Sequence, residues 1–212
     1  ALAGLFLWHD GLQIGTAHRL TTSLETFRDI VNMIEENEHL ARQVKRIRWA
    51  HGSEEIELKS EFGGGRYMVK AGGSAARGIS KPETVFVDET RELKDESTWA
   101  SLRYTMMAAK NPQLWTLSNA GDQHSLVLNA LRERGMSAAK GDDIAYYEWS
   151  SNYEKIDDTP AFWKGAAMAN PALGHTASTG HSKRVKLPAS AWRERRSICG
   201  VVAAKHHTAM WD

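Results

Sequence analysis

The residues best suited to chemistry are two adjacent carboxylates, Asp88 and Glu89, placed directly after Thr84-Val85-Phe86-Val87. A short apolar run without alternation reads as a strand buried on both faces of a parallel sheet. The acids then fall at its C-terminal edge, where open α/β sheets place their ligands. Paired carboxylates there suit nucleotide chemistry: one can hold Mg²⁺ through its water shell while the other orients or deprotonates an attacking water. Taken alone, the run reads equally well as a strand ending in a solvated acidic turn.

A second strand, Leu114-Trp115-Thr116-Leu117, also ends in small polar residues, Ser118-Asn119-Ala120-Gly121. The helix between the two tips is expected over Ser97 to Lys110, with Trp99, Leu102, Met106 and Ala109 on one face. A strand ending in Asp-Glu, a helix, and a strand ending in a polar tip suit an ATPase whose second tip senses the γ-phosphate. Upstream, Leu12–Ala17 reads as a short strand with His18 and Arg19 at its C-terminal end. Thr22-Ser23-Leu24-Glu25 has the capping-box pattern, with Thr22 as N-cap and Glu25 at N3. Leu24, Phe27, Ile30, Val31 and Ile34 then repeat at helical spacing to about Glu36.

The other elements follow from period and punctuation. Ala1–Trp8 reads as the end of a buried helix, and Arg46–Ala50 as a strand. Glu54–Lys59 alternates as a half-exposed strand does, and Arg66–Lys70 answers it across Gly63-Gly64-Gly65 as a hairpin partner. No helix opening with Lys-Ser/Thr follows that triple glycine, which favours a hairpin turn over a phosphate cradle. A helix from Gln123 to Arg134, capped by Gly135, precedes a strand over Ile144–Trp149. This alternation predicts an α/β fold with a mostly parallel, helix-covered sheet.

Composition sets the outer limits. The chain has 212 residues, 42% hydrophobic and 25% charged, with a net charge of +1, and so makes no whole-chain case for nucleic acid. Residues 181–212 hold seven Lys and Arg against two acids, a shift that places a boundary near residue 175, at Asn170-Pro171-Ala172-Leu173-Gly174. The expected division is a domain over 1–174 and a basic linker or tail over 175–212. A single cysteine, Cys199, excludes an internal disulfide framework and fits a reducing compartment. The apolar opening of eight residues is neither a signal peptide nor a membrane span. His206-His207 near Asp212 reads as part of a flexible basic tail, and Trp49, Trp99, Trp115 and Trp149 read as core packing.

The order of these pieces resembles the large terminase subunit of tailed bacteriophages over about residues 1–175. The resemblance rests on His18-Arg19, Arg77-Gly78, Val85-Phe86-Val87-Asp88-Glu89, Thr116-Leu117-Ser118-Asn119 and Asn170-Pro171-Ala172-Leu173-Gly174. It implies a Walker-type P-loop NTPase core that hydrolyses ATP with Mg²⁺ to thread double-stranded DNA into a procapsid. The implied partners are the terminase small subunit and the portal protein, with the motor a homo-oligomeric ring in the cytoplasm of an infected bacterium.

By the same resemblance Asp88 is the Mg²⁺-associated acid and Glu89 the catalytic acid. Arg77 is a finger reaching a neighbouring subunit's nucleotide, and fingers of that kind are worth ~10³–10⁵ in rate. Thr116, Ser118 and Asn119 form the coupling tip, and His18 and Arg19 belong to the nucleotide site. Thr90 stands where the family commonly has alanine. The family's G-x-x-x-x-G-K-[ST] loop is absent from these residues, and so is its acidic nuclease cluster, which implies a chain lacking both segments and turning over ATP poorly by itself. Two other readings stay open: a DExx-type helicase fragment, which needs downstream arginine motifs, and a non-catalytic module that only contacts DNA or partner subunits.

Overall fold

The computed structural model describes residues 1–50, 53–71, 79, 81–151, 159–170 and 197–205. Eight strands form one sheet in the order β2-β3-β4-β1-β5-β6-β8-β7. Its centre is parallel: β1 (Leu12–Ala17) lies between β4 (Arg66–Ala71) and β5 (Thr84–Asp88), and β5 pairs with β6 (Gln113–Ser118). The flanks are antiparallel. On one side β2 (Val44–Arg48) and β3 (Glu55–Leu58) extend the sheet from β4. On the other, β8 (Ser197–Lys205) inserts between β6 and β7 (Ile144–Ser150), antiparallel to both. The class is α/β, with the parallel pairings confined to the four central strands.

Alternation along β5 divides the core between the two faces of the sheet. Val85 and Val87 pack with Ile14, Leu102 and Met106 under α4 (Glu96–Met106). Phe86 faces the other way, against the cluster made by α1 (Leu2–Phe6) and α2 (Leu20–Glu35) with Tyr67 and Val69. Helix α2 buries Phe27, Ile30, Val31 and Ile34, the stripe its periodicity predicts. Full burial of each such side chain is worth about 1.5–3 kcal/mol. The remaining helices are α3 (Glu38–Ala41), α5 (Leu126–Ser137) and α6 (Pro160–Met168).

Several expectations are corrected. Helix α2 begins at Leu20 with Arg19 as N-cap and no side-chain capping bond, so the Thr22/Glu25 capping box does not form. Glu25 pairs with Arg28 instead. Gly135 lies inside α5, which ends at Ser137 with Ala138 as C-cap. A Cβ there would sit 2.5 Å from the Tyr146 ring, so glycine lets the helix approach β7.

Strand β3 is buried and not half-exposed: Glu55 is 6% exposed, and Glu54, just before the strand, 4%. Arg48 and Arg66 flank the Glu55 carboxylate at 3.8 and 3.2 Å, the pairing a buried charge requires. Trp49 is 57% exposed, although its ring meets the edge of Phe27. The strand at Ser197–Lys205 was not foreseen; residues beyond 174 thus complete the same sheet.

Gly15 in β1 meets a tighter requirement than any turn. A Cβ at that position would overlap the Tyr67 hydroxyl, and Tyr67 is 2% exposed. Gly15→Ala is expected to cost about 1–3 kcal/mol through overpacking, read as a lower urea midpoint. An unchanged midpoint would show that the Tyr67 ring can move.

Candidate functional site

The four parallel strands end together, and the candidate residues stand on that common edge. Residue Asp88 closes β5 opposite Ala17 of β1. Its Oδ1 accepts the Glu89 backbone N–H at 2.7 Å. Glu89 sits at φ 51°, ψ 42°, in the left-handed region. For a non-glycine residue this conformation costs on the order of 1–3 kcal/mol and persists only where the surroundings enforce it.

Those surroundings are specific. The Glu89 carbonyl accepts Glu92 N–H at 2.8 Å, closing the 3-10 turn Thr90–Glu92. Thr90 is fully buried, its hydroxyl 3.1 Å from the Val87 carbonyl and 3.3 Å from that of Leu117. Arg91 N–H donates to Ser118 Oγ at 3.0 Å, and Ser118 Oγ–H donates to the Asn119 carbonyl at 2.7 Å. The turn after β5 is thereby tied to the tip of β6. The Glu89 carboxylate itself is reached from α2, where Thr22 Oγ–H donates to its Oε2 at 3.4 Å.

Two clefts open beside Asp88. One, of about 450 Å³, is lined by Thr16, His18, Asp88, Glu92, Lys94, Asp95 and Thr98 and bordered by α4. The other, of about 530 Å³, lies under α2 and is lined by Gly15, Ser23, Thr26, Tyr67, Phe86, Asp88 and Leu117. Thr16 and Ser23 carry buried hydroxyls with no hydrogen-bond partner among the described residues. Burial, reinforced by the charge of Asp88, pushes the Tyr67 phenol above its ordinary pKa and keeps it neutral.

Of the expected site residues, the edge brings together Asp88, Glu89, His18 and Ser118. Thr116 is buried in β6 opposite Val87, 2% exposed, below the tip. Asn119 and Arg19 are exposed, Arg19 at the start of α2. Arg77 and Gly78 lie outside the described residues, as do Pro171–Gly174, His206 and His207. Thr22 and Tyr67, which are not among the expected site residues, also border this edge: Thr22 meets Glu89, and Tyr67 lines the cleft under α2. The hydroxyl run Thr21-Thr22-Ser23 just past the β1 tip was the available signal, since capping uses only one of the three.

The donor set fits a hard cation of the Mg²⁺ type. Asp88 and Glu89 offer carboxylate oxygen; among the described residues no group of three or more His, Cys, Asp or Glu is gathered as a metal site. Mg²⁺ is commonly held in that way, by one or two carboxylates with waters and phosphate supplying the rest. Among the described residues no helix is long and apolar enough to cross a membrane.

Comparison with solved structures finds the same fold in a crystal structure of the HK97 bacteriophage large terminase. The TM-score is 0.65 at 19% identity, over 92% of this chain and 42% of that one. The chain therefore spans less than half the length of that terminase. A structure of the plantazolicin methyltransferase BpumL with SAH reaches a TM-score of only 0.37 at 8% identity, covering 96% of this chain and 79% of that one, and carries no argument. No protein-family model and no curated protein matches the sequence. What the terminase likeness establishes is a shared α/β fold.

Proposed function

We propose that this chain is the ATP-hydrolysing motor part of a large terminase, a protein that drives double-stranded DNA into a viral procapsid. One observation carries the reading: the paired carboxylates Asp88 and Glu89 at the end of the central parallel strand, with Glu89 held in a strained left-handed conformation. Strain of that kind persists at sites where a side chain must be aimed. The fold shared with the HK97 large terminase supports the same reading.

In the proposed mechanism Asp88 would hold Mg²⁺, and the cation would supply positive charge against the nucleotide's phosphates. Glu89 orients the attacking water and accepts its proton. Arg77 acts in trans on a neighbouring subunit's nucleotide within a homo-oligomeric ring. His18 and Arg19 add positive charge near the phosphates, and the Thr116–Asn119 tip relays their loss. The small subunit and portal protein are the proposed partners, in the cytoplasm of an infected bacterium. No G-x-x-x-x-G-K-[ST] occurs in these residues, so the test belongs to the protein in its longest natural form. Phosphate release from Mg²⁺-ATP is the experiment. Turnover lost on changing Glu89 supports the reading; salt-sensitive DNA binding without any nucleotide affinity would replace it with a non-catalytic module.

A further inference from the structure

We infer that Thr22, on the first turn of α2, is a positioning residue that holds the Glu89 carboxylate in its working orientation; this rests on the ATPase reading above. The start of α2 is unusual for a 16-residue helix. Arg19 at the N-cap contributes no side-chain hydrogen bond, and no acidic residue occupies the first turn. Helix N-termini favour both, because their first N–H groups lack partners and carry partial positive charge.

Here the carboxylate comes from another element. Glu89, at the end of β5, meets α2 through the Thr22 hydroxyl, 67 positions away in sequence. Glu89 has a left-handed backbone and its carboxylate reaches α2, while the bonds of Thr90 and Arg91 fix the following turn to β6. One carboxylate oxygen, Oε2, is thus engaged by Thr22, and Oε1 is left for a water. A carboxylate anchored at one oxygen presents the other in a defined direction, and defined direction is what a general base needs. Thr22 touches neither nucleotide nor water in this account; it acts through Glu89.

The test uses the longest natural form of the protein, comparing Thr22→Val, which keeps the shape and loses the donor, with Thr22→Ser, which restores it. Thr22→Val is expected to lower kcat for ATP on the order of 10- to 100-fold with KM unchanged. Thr22→Ser is expected to recover most of that loss. Equal kcat in Thr22→Val and wild type would overturn the inference, as would a loss that Thr22→Ser fails to repair.

A second readout needs no turnover. The NMR methyl signal of Thr22 is expected to move in Glu89→Gln and to stay in place in Glu61→Gln, a change at an exposed position. An unmoved signal in Glu89→Gln would overturn the contact itself. Absence of ATP turnover in wild type, with the methyl signal still responding to Glu89→Gln, would instead count against the ATPase reading.

Discussion

Glu89→Gln is expected to lower Mg²⁺-dependent ATP turnover, with kcat falling about 10²–10⁴-fold, the range a positioned general base supplies. The substitution keeps the side chain's length and planar end, so any loss reports the charge and proton affinity of the carboxylate. Nucleotide affinity should survive, because Asp88 remains to associate with Mg²⁺. A companion change separates function from folding. Glu89 occupies φ 51°, a conformation glycine adopts without steric penalty. Glu89→Gly is therefore expected to lose the same turnover while raising unfolding stability by about 1 kcal/mol. Gain of stability with loss of activity would identify the strain as a cost maintained for the site. Full activity in Glu89→Gln would show the acid to be a structural turn.

Phe27→Ala is expected to cost about 3–5 kcal/mol, a large share of the roughly 5–15 kcal/mol that holds a domain together. Phe27 is fully buried in α2. Its ring meets Trp49 edge-on at 4.9 Å between centroids and lies nearly parallel to Tyr67 at 6.4 Å. Removing it opens a void between α2 and β4, bordered by the Trp49 and Tyr67 rings. Because α2 also carries Thr22, the variant should lose activity at temperatures below its unfolding transition. Urea denaturation measures the first effect: the midpoint drops while the slope stays constant. A loss under 1 kcal/mol would mean the helix repacks, and that α2 is less fixed than its contacts imply.

How much of this was legible in the sequence depended on how local each determinant is. The central strand was readable because Val85-Phe86-Val87 is continuously apolar, the mark of burial on both faces. Helix α2 was readable from its stripe, but its start was not. Thr22 and Glu25 satisfy a local capping rule, yet in the fold Thr22 binds Glu89 and Glu25 binds Arg28. A contact 67 positions away outcompeted one three positions away, and no local rule can see that. Gly135 was misread for a similar reason, as its constraint is the ring of Tyr146 on β7 and not the helix end.

Strand β3 looked half-exposed because its glutamates alternate with apolar residues. Arg48 and Arg66, which pair with Glu55, come from neighbouring strands. Strand β8 left the weakest trace: its partners β6 and β7 lie far upstream, and its basic flanks resemble a tail. At the site, the acid pair and His18 were legible from position after a strand. The Thr90 hydroxyl that ties β5 to β6 looked like a departure from pattern, although it is the most buried residue of the turn.

The most direct measurement is calorimetric titration of Mg²⁺-ATP into the longest natural form of the protein, wild type and Asp88→Asn. If the β5 edge is the nucleotide site, wild type binds in a Mg²⁺-dependent manner, and Asp88→Asn weakens binding by about 10-fold or more, as loss of a charged oxygen ligand should. Identical affinity in both proteins, or no binding in either, would contradict the account and leave Asp88 and Glu89 as the capped end of a strand.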